Sequence, residues 1–108
     1  MSAASTSRRE ALEKFLQENP SDAFARYGLA LDYMNSGDTP AAEKHFRLLL
    51  EKNPEYVPGY LMFGQLLTRM QKTEDARSVF MRGMAAARKV GNTHAFNEME
   101  NFLLELSP

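Results

Sequence analysis

The chain repeats itself with a period of about 34 residues, and this periodicity restricts its possible folds more than any other feature. When the sequence is shifted by one period, large apolar residues fall on large ones, small residues fall on small ones, and two Asn-Pro pairs coincide. The clearest matches are Asn19-Pro20 with Asn53-Pro54, Leu29 with Phe63, Ala30 with Gly64, Ala42 with Ala76, and Phe46 with Phe80. Self-similarity at such a period indicates an array of repeated supersecondary units.

Apolar residues recur every three or four positions, which is typical of amphipathic helices, and short turns separate these segments. Because no alternating polar and apolar run is long enough for a strand, the sequence predicts an all-α fold of about six antiparallel helices. Capping residues and prolines mark the predicted helix starts. These starts are at Ser7 (with Glu10 as a capping box), Ser21 or Asp22, Thr39 (followed by Pro40), Pro58, Thr73, and Asn92 or Thr93.

The repeated positions resemble the tetratricopeptide repeat, a helix-turn-helix unit of this period. The first unit carries the pattern at Leu29, Ala30, Tyr33, Ala42, Phe46 and Pro54, and the second at Tyr60, Phe63, Gly64, Leu67, Ala76 and Phe80. Small residues let two helices approach closely, and aromatic residues fill the space between successive pairs. The sequence departs from the pattern at three positions, namely Arg26, Leu67 and Arg88. The resemblance implies a right-handed helical solenoid.

The resemblance also implies an arrangement of units along the chain. We expect residues 1–7 to be disordered, because they are mostly small and polar, and residues 8–107 to form a single domain. The predicted units are a half repeat (8–20), two repeats (23–56 and 57–90) and a C-terminal capping helix (92–106). In the half repeat we expect Leu12, Phe15 and Leu16 to pack on Leu29 and Tyr33. The capping helix directs Asn97, Glu98, Asn101 and Glu105 outward, as the end of a solenoid requires.

In this family the first helix of each unit lines a concave surface. By resemblance, the candidate partner-binding groove consists of Phe24, Tyr27, Leu31, Met34, Leu61, Met62, Gln65 and Arg69. Such a surface suits a protein or peptide with apolar side chains to bury. The alternative for each residue is simple packing against a neighbouring helix.

Some tetratricopeptide domains hold the C-terminal carboxylate of a chaperone tail with lysines, asparagines and an arginine. The corresponding inner positions here carry Tyr27, Leu31 and Met62, followed by Asn92 and Phe96. That basic clamp is absent from the sequence, so we predict no affinity for an acidic Glu-Glu-Val-Asp tail.

Composition excludes several other classes of function. The net charge of -1 provides no basic field for nucleic acid, and no apolar run is long enough to span a membrane. There is no cysteine, and His45 and His94 each read as an ordinary surface histidine. A second metal ligand at the spacing of one helix turn occurs only as Glu98 after His94, and a single such pair is a weak signal. A glycine-rich phosphate loop is also missing. We therefore predict a cytoplasmic protein that is not an enzyme and needs neither cofactor nor metal.

Three functional hypotheses remain from the sequence. The first is a non-catalytic interaction module that presents an apolar helical groove to a partner. The alternative is a self-assembling, homodimeric structural unit, because a short array leaves apolar surface uncovered. A weaker alternative is a chaperone-like adaptor.

Overall fold

A computed structural model describes the backbone of residues 3–106 and the side chains of residues 7–106. This part of the chain forms six helices and contains no strand, which confirms the predicted all-α class. The helices are α1 (Ala3–Glu18), α2 (Ala23–Asn35), α3 (Thr39–Lys52), α4 (Val57–Arg69), α5 (Thr73–Val90) and α6 (Thr93–Leu106). They divide into two compact units, residues 1–53 and 54–108.

In the first unit, α2 packs against both α1 and α3. Leu16 of α1 is buried with Ala25 and Leu29 of α2, and Leu12 and Tyr33 are partly buried against them. The prediction that Phe15 shares this contact is wrong, because its side chain is 46% exposed. Leu12 and Leu16 lie about one turn apart on the face toward α2, whereas Phe15 is rotated about 100° away from Leu16.

In the second unit, α5 packs against both α4 and α6, and α4 also contacts α6. A Cβ atom built on Gly64 would lie only 2.3 Å from Cε1 of Phe80. A Cβ atom on Gly83 would lie 2.5 Å from both Cβ of Tyr60 and Sδ of Met99. Glycine at these two positions therefore allows the helices to approach as closely as they do.

Three helix starts carry a side-chain cap. The backbone N–H of Ala25 donates to Oδ1 of Asp22 at 2.8 Å, and that of Ala95 donates to the Asn92 side chain at 3.0 Å. For α3 the cap is Asp38, which accepts from the N–H of Ala41 at 3.2 Å. The prediction of Thr39 is wrong by one residue, because aspartate is also a strong cap and Pro40 fits the first turn from either start.

The first helix begins earlier than its capping box indicates. Ser7 lies inside α1, which the structure extends back to Ala3. Ala3 and Ala4 have high helix propensity, so they continue the helix in the N-terminal direction. Of the segment predicted to be disordered, residues 1–2 lie outside the described residues.

Candidate functional site

The predicted groove residues of the first unit lie along one stripe of α2. Phe24, Tyr27, Leu31 and Met34 are spaced by three or four residues, so they share one helix face. Phe24 is 79% exposed, and the other three side chains are half-buried. Ala25 and Leu29 occupy a different face and pack toward α1. The α2 stripe is therefore separate from the core face of the same helix.

The predicted groove residues of the second unit lie along the equivalent stripe of α4. Leu61, Met62 and Gln65 are half-buried, and Arg69 is exposed. The Gln65 amide donates to the backbone oxygen of Leu61 at 3.2 Å. A shift by one period places Tyr27 on Leu61 and Leu31 on Gln65, so the two stripes occupy corresponding positions in the repeat.

The structure brings Gln65 and Arg69 together at a cleft between α4 and α6. The cleft has a volume of about 330 Å³. It is lined by Gln65, Thr68 and Arg69 from α4 and by Phe102, Glu105 and Leu106 from α6. Leu61 and Met62 lie on the same stripe of α4 but do not line this cleft.

The α6 side of this cleft is missing from the sequence prediction. Of its three residues, the sequence prediction names only Glu105, which it places on the outward face of the capping helix. The signal that could have revealed them is helix length. Because α5 has 18 residues and α3 has 14, α6 begins two positions later than the period alone would place it after α4.

The cleft combines a fixed apolar wall with polar groups. The Phe102 ring stacks on Phe80 at a centroid distance of 5.5 Å, and Phe80 is fully buried. Arg69 can donate several hydrogen bonds, Glu105 accepts them, and the Gln65 amide can do both. This arrangement can bury an apolar side chain while binding the polar backbone beside it.

A second group of polar residues holds α1 against α2. The carboxylate of Asp32 is buried and accepts from Nη2 of Arg8 and from Nε of Arg9, each at 2.7 Å. Burial alone would raise the pKa of the Asp32 carboxyl. Hydrogen bonds from the two arginines, with their positive charges, outweigh burial and hold the pKa below its ordinary value. The guanidinium of Arg9 also lies 4.1 Å from the centre of the Tyr33 ring.

His45 joins this region from α3. Its ring stacks on Tyr33 with a centroid distance of 5.4 Å, and Nδ1 lies 3.2 Å from Nη1 of Arg26. Burial, together with the positive charges of Arg26 and Lys44, lowers the pKa of the His45 ring to about 4. Because arginine can only donate, the neutral ring accepts through Nδ1. The interpretation of His45 as an ordinary surface histidine is wrong, because α3 turns this side chain toward α2.

Arg26 fills the position where the repeat pattern has a large aromatic residue. Its side chain is buried, and Nη2 donates to the backbone oxygen of Pro20 at 3.1 Å. The aliphatic part of arginine can pack like an apolar side chain while its head group is hydrogen-bonded. Arg26 thus links the turn before α2 to His45 of α3.

Histidine and acidic residues elsewhere give no metal centre within residues 7–106. The ring of His94 is exposed and lies 3.0 Å from the carboxylate of Glu98, one turn further along α6. No helix in the described part of the chain is long and apolar enough to cross a membrane.

The fold and the close-approach glycines define an array of helix-turn-helix units. The chain is 32% identical over 97 residues to a TPR repeat-containing protein of Pseudomonas aeruginosa, a match that covers 90% of this chain and 92% of that protein. The chain therefore belongs to the tetratricopeptide repeat family, as its sequence predicts. No family model matches it.

Solved structures agree with this assignment. A tetratricopeptide repeat domain protein from Salinibacter ruber superposes with a TM-score of 0.77 at 31% identity, covering 82% of this chain and 89% of that one. The TPR2B domain of yeast Sti1, solved in complex with pHsp70, superposes with a TM-score of 0.83 at 16% identity. That match covers 91% of this chain and 78% of the Sti1 chain, and it shows the fold alone. The predicted tetratricopeptide solenoid is confirmed.

Proposed function

We propose that the chain is a protein-interaction module that binds an apolar side chain of a partner in the cleft between α4 and α6. The observation that carries this proposal is the fixed Phe102 wall facing Gln65 and Arg69 across the cleft. Tetratricopeptide proteins are generally non-catalytic interaction modules, and the Sti1 domain with this fold was solved in complex with pHsp70. This chain shares that fold.

The size of the cleft favours a peptide side chain over a cofactor. Its volume of about 330 Å³ is at the lower limit of small-molecule pockets, which run from about 300 to 1,000 Å³. One apolar side chain can enter, with Arg69 and Gln65 binding the carbonyl groups of the peptide on either side of it. Glu105 can accept a backbone N–H from the same segment.

The α2 stripe supplies a second contact surface in this proposal. Phe24 is the most exposed large apolar residue among the described side chains of the first unit. Exposed apolar residues beside half-buried ones are typical of partner-binding surfaces. Tyr27 and Leu31 correspond in the repeat to Leu61 and Gln65, so the same partner type suits both stripes. The partner that we propose is an extended peptide or an amphipathic helix.

The charges at the cleft argue against an acidic chaperone tail. Arg69 is the only cation among the six lining residues, and Glu105 places a carboxylate beside it. A tail that ends in several carboxylates would be repelled by Glu105 and could be paired only by Arg69. We therefore propose a partner that is apolar rather than acidic.

Selection of displayed random peptides on the immobilised full chain tests this function. The enriched peptide is then titrated into the wild type, Leu106→Asp and Leu104→Asp by fluorescence anisotropy. Leu106 lines the cleft, whereas Leu104 is 65% exposed and lies outside it, so the two variants carry matched changes two residues apart. We expect Leu106→Asp to weaken binding at least about tenfold and Leu104→Asp to leave it within about twofold.

Circular dichroism confirms that each variant remains helical before binding is measured. Wild-type affinity in a folded Leu106→Asp variant would overturn the assignment of this cleft. So would equal losses in both variants, since these would place the peptide elsewhere on α6.

A further inference from the structure

A groove between α5 and α6 has the geometry of a docking site for another helix. It has a volume of about 220 Å³ and an almost entirely apolar lining. The lining residues are Met81, Met84, Ala85 and Arg88 from α5 and Phe96 and Leu103 from α6. Met81 is 57% exposed, although it is a large apolar residue.

The first unit shows what occupies the corresponding groove, which lies between α1 and α2. A shift by two periods places Glu13, Leu16 and Gln17 of α1 on Met81, Met84 and Ala85. The helix α2 begins at Ala23 and α6 begins at Thr93. When these two starts are aligned, Arg26 of α2 corresponds to Phe96 of α6. In the first unit these positions lie beside His45 of α3, which contacts both Arg26 and Tyr33. The α5/α6 groove is therefore the place of a helix equivalent to α3.

The helix α1 has the complementary character. A shift by one period makes α1 equivalent to α3, and a second shift makes it equivalent to α5, so Phe15 corresponds to Leu49 and to Gly83. Leu49 is fully buried, and Gly83 closely approaches Tyr60 on the first helix of its pair. Phe15, at the same position, is 46% exposed. This face of α1 therefore presents the side chain that packs on a helix equivalent to α2 or α4.

One pair of charged residues on the two surfaces is also complementary. Between Thr93 and Leu106 there are three glutamates and no lysine or arginine. When the first residues of α2, α4 and α6 are aligned, Glu100 of α6 corresponds to Ala30 of α2 and Gly64 of α4. The 34-residue period places Arg8 of α1 on Ala42 of α3 and Ala76 of α5. These four small residues are buried inside the two helix pairs. An acid and a base thus replace the small residues at the matching positions of α6 and α1.

We propose that α1 of one copy docks in the α5/α6 groove of another copy. Phe15 then packs against Phe96, and Arg8 pairs with Glu100. Arg8 already donates to Asp32, but its side chain is 63% exposed and retains further N–H donors. The Arg88 guanidinium lies 5.0 Å from the Phe96 ring and flanks the docked helix. Because different surfaces meet, the contact is heterologous, and each end of an assembly can bind a further copy until a ring closes.

Sedimentation velocity on the full chain, over a series of concentrations up to millimolar, tests this contact. We expect the wild type to form a growing series of oligomers. Phe15→Asp removes the α1 face, and Met81→Asp removes the groove, so each variant alone weakens self-association at least about tenfold. Leu104→Asp on α6 is the matched exposed control, and it keeps wild-type association.

Mixing the two variants distinguishes this assembly from a symmetric dimer. Phe15→Asp retains an intact groove and Met81→Asp retains an intact α1, so together they form a heterodimer that does not grow further. Glu100→Lys, an exposed change that leaves the core intact, also weakens wild-type association. Circular dichroism verifies the fold of every variant.

Three results would overturn the proposal. They are a wild type that stays monomeric at every concentration, an oligomer that Phe15→Asp leaves unchanged, and a mixture of the two variants that does not associate. An isologous dimer through the groove alone would give the second result, because Phe15→Asp leaves the groove intact. Loss of peptide binding in the Leu106→Asp variant bears on the other cleft and does not affect this test.

Discussion

Gly64 and Phe80 are in such close contact that a single Cβ atom at Gly64 would lie 2.3 Å from the Phe80 ring. The ring is fully buried and stacks on Phe102, so it has little space to move away. The distance between α4 and α5 therefore depends on the absence of a side chain at position 64.

Gly64→Ala should destabilise the fold by about 1–3 kcal/mol, because the added methyl group overpacks a closed core. Gly28→Ala is the matched control, since its Cβ would meet only Leu12 at 3.7 Å, which is an ordinary contact. We expect this control to stabilise α2 by about 0.5–1 kcal/mol, because alanine is a better helix former. Urea unfolding of both variants measures the two changes, and a neutral Gly64→Ala variant would contradict the close-contact argument.

Gln71→Gly should stabilise the protein by about 0.5–1 kcal/mol. Gln71 follows α4 with a φ of 61°, in the left-handed region that disfavours side chains. Its repeat equivalent is Gly37, which has a φ of 86°. Thermal unfolding tests this, and Gly37→Ala should shift the melting temperature in the opposite direction.

Asp32→Asn should destabilise the protein at pH 7 by about 1.5–3 kcal/mol, because it removes the charge that two arginine hydrogen bonds require. Since the pKa of Asp32 is lowered from 3.8 in the folded chain, its contribution is fully present above that pH and is lost as the pH falls through the folded value. Urea unfolding at a series of pH values should show that the difference in free energy of unfolding between wild type and Asp32→Asn becomes smaller below about pH 4. A gap of constant size would show that Asp32 acts through packing rather than charge.

His45 should make the stability depend on pH in a different window. Its pKa falls from 6.5 to about 4 on folding, so the unfolded chain binds the proton more tightly between these values. Stability should therefore fall as the pH decreases from 6.5 to about 4, by about 1–3 kcal/mol for a half-buried group. His45→Phe keeps a ring beside Tyr33 and removes the titrating group. The difference in free energy of unfolding between this variant and the wild type should therefore become smaller as the pH falls through this window. NMR titration of the His45 ring provides a direct measurement, and a midpoint near 6.5 would contradict the buried geometry.

A peptide ending in Glu-Glu-Val-Asp should show no binding in calorimetry. The cleft between α4 and α6 provides one arginine and one glutamate, and no lysine lines it. Micromolar affinity for this peptide would contradict both the predicted absence of a carboxylate clamp and the proposed apolar partner.

Repetition explains which parts of the fold could be predicted from the sequence. Leu29, Phe46 and Phe80 recur at one period, and all three are in the core, because a repeated unit buries the same positions each time. Helix starts were predictable to within one residue, as at Ser21 or Asp22 and at Asn92 or Thr93, because each is marked by adjacent capping residues. At Asp38 and Thr39 two capping residues are adjacent, and sequence preference alone does not choose between them.

The features that were not predicted depend on contacts that occur once. Arg8 and Arg9 reach Asp32 across 24 and 23 residues, and the repeat equivalent of Asp32 is the apolar Leu66. The α4/α6 cleft depends on the length of α5, which shifts α6 by two residues relative to the repeat. A periodic pattern identifies the shared core, but it carries no information about such individual side-chain pairs.

Gly83 has a consequence for how this family member can change over time. One missing Cβ accommodates both Tyr60 of α4 and Met99 of α6, so a single position governs two helix interfaces. Methionine can yield because it is flexible, but the Cβ of Tyr60 is fixed to the backbone. Any side chain gained at position 83 must therefore be accompanied by a displacement of α4. Mutational drift at this site is tied to compensating changes on a neighbouring helix.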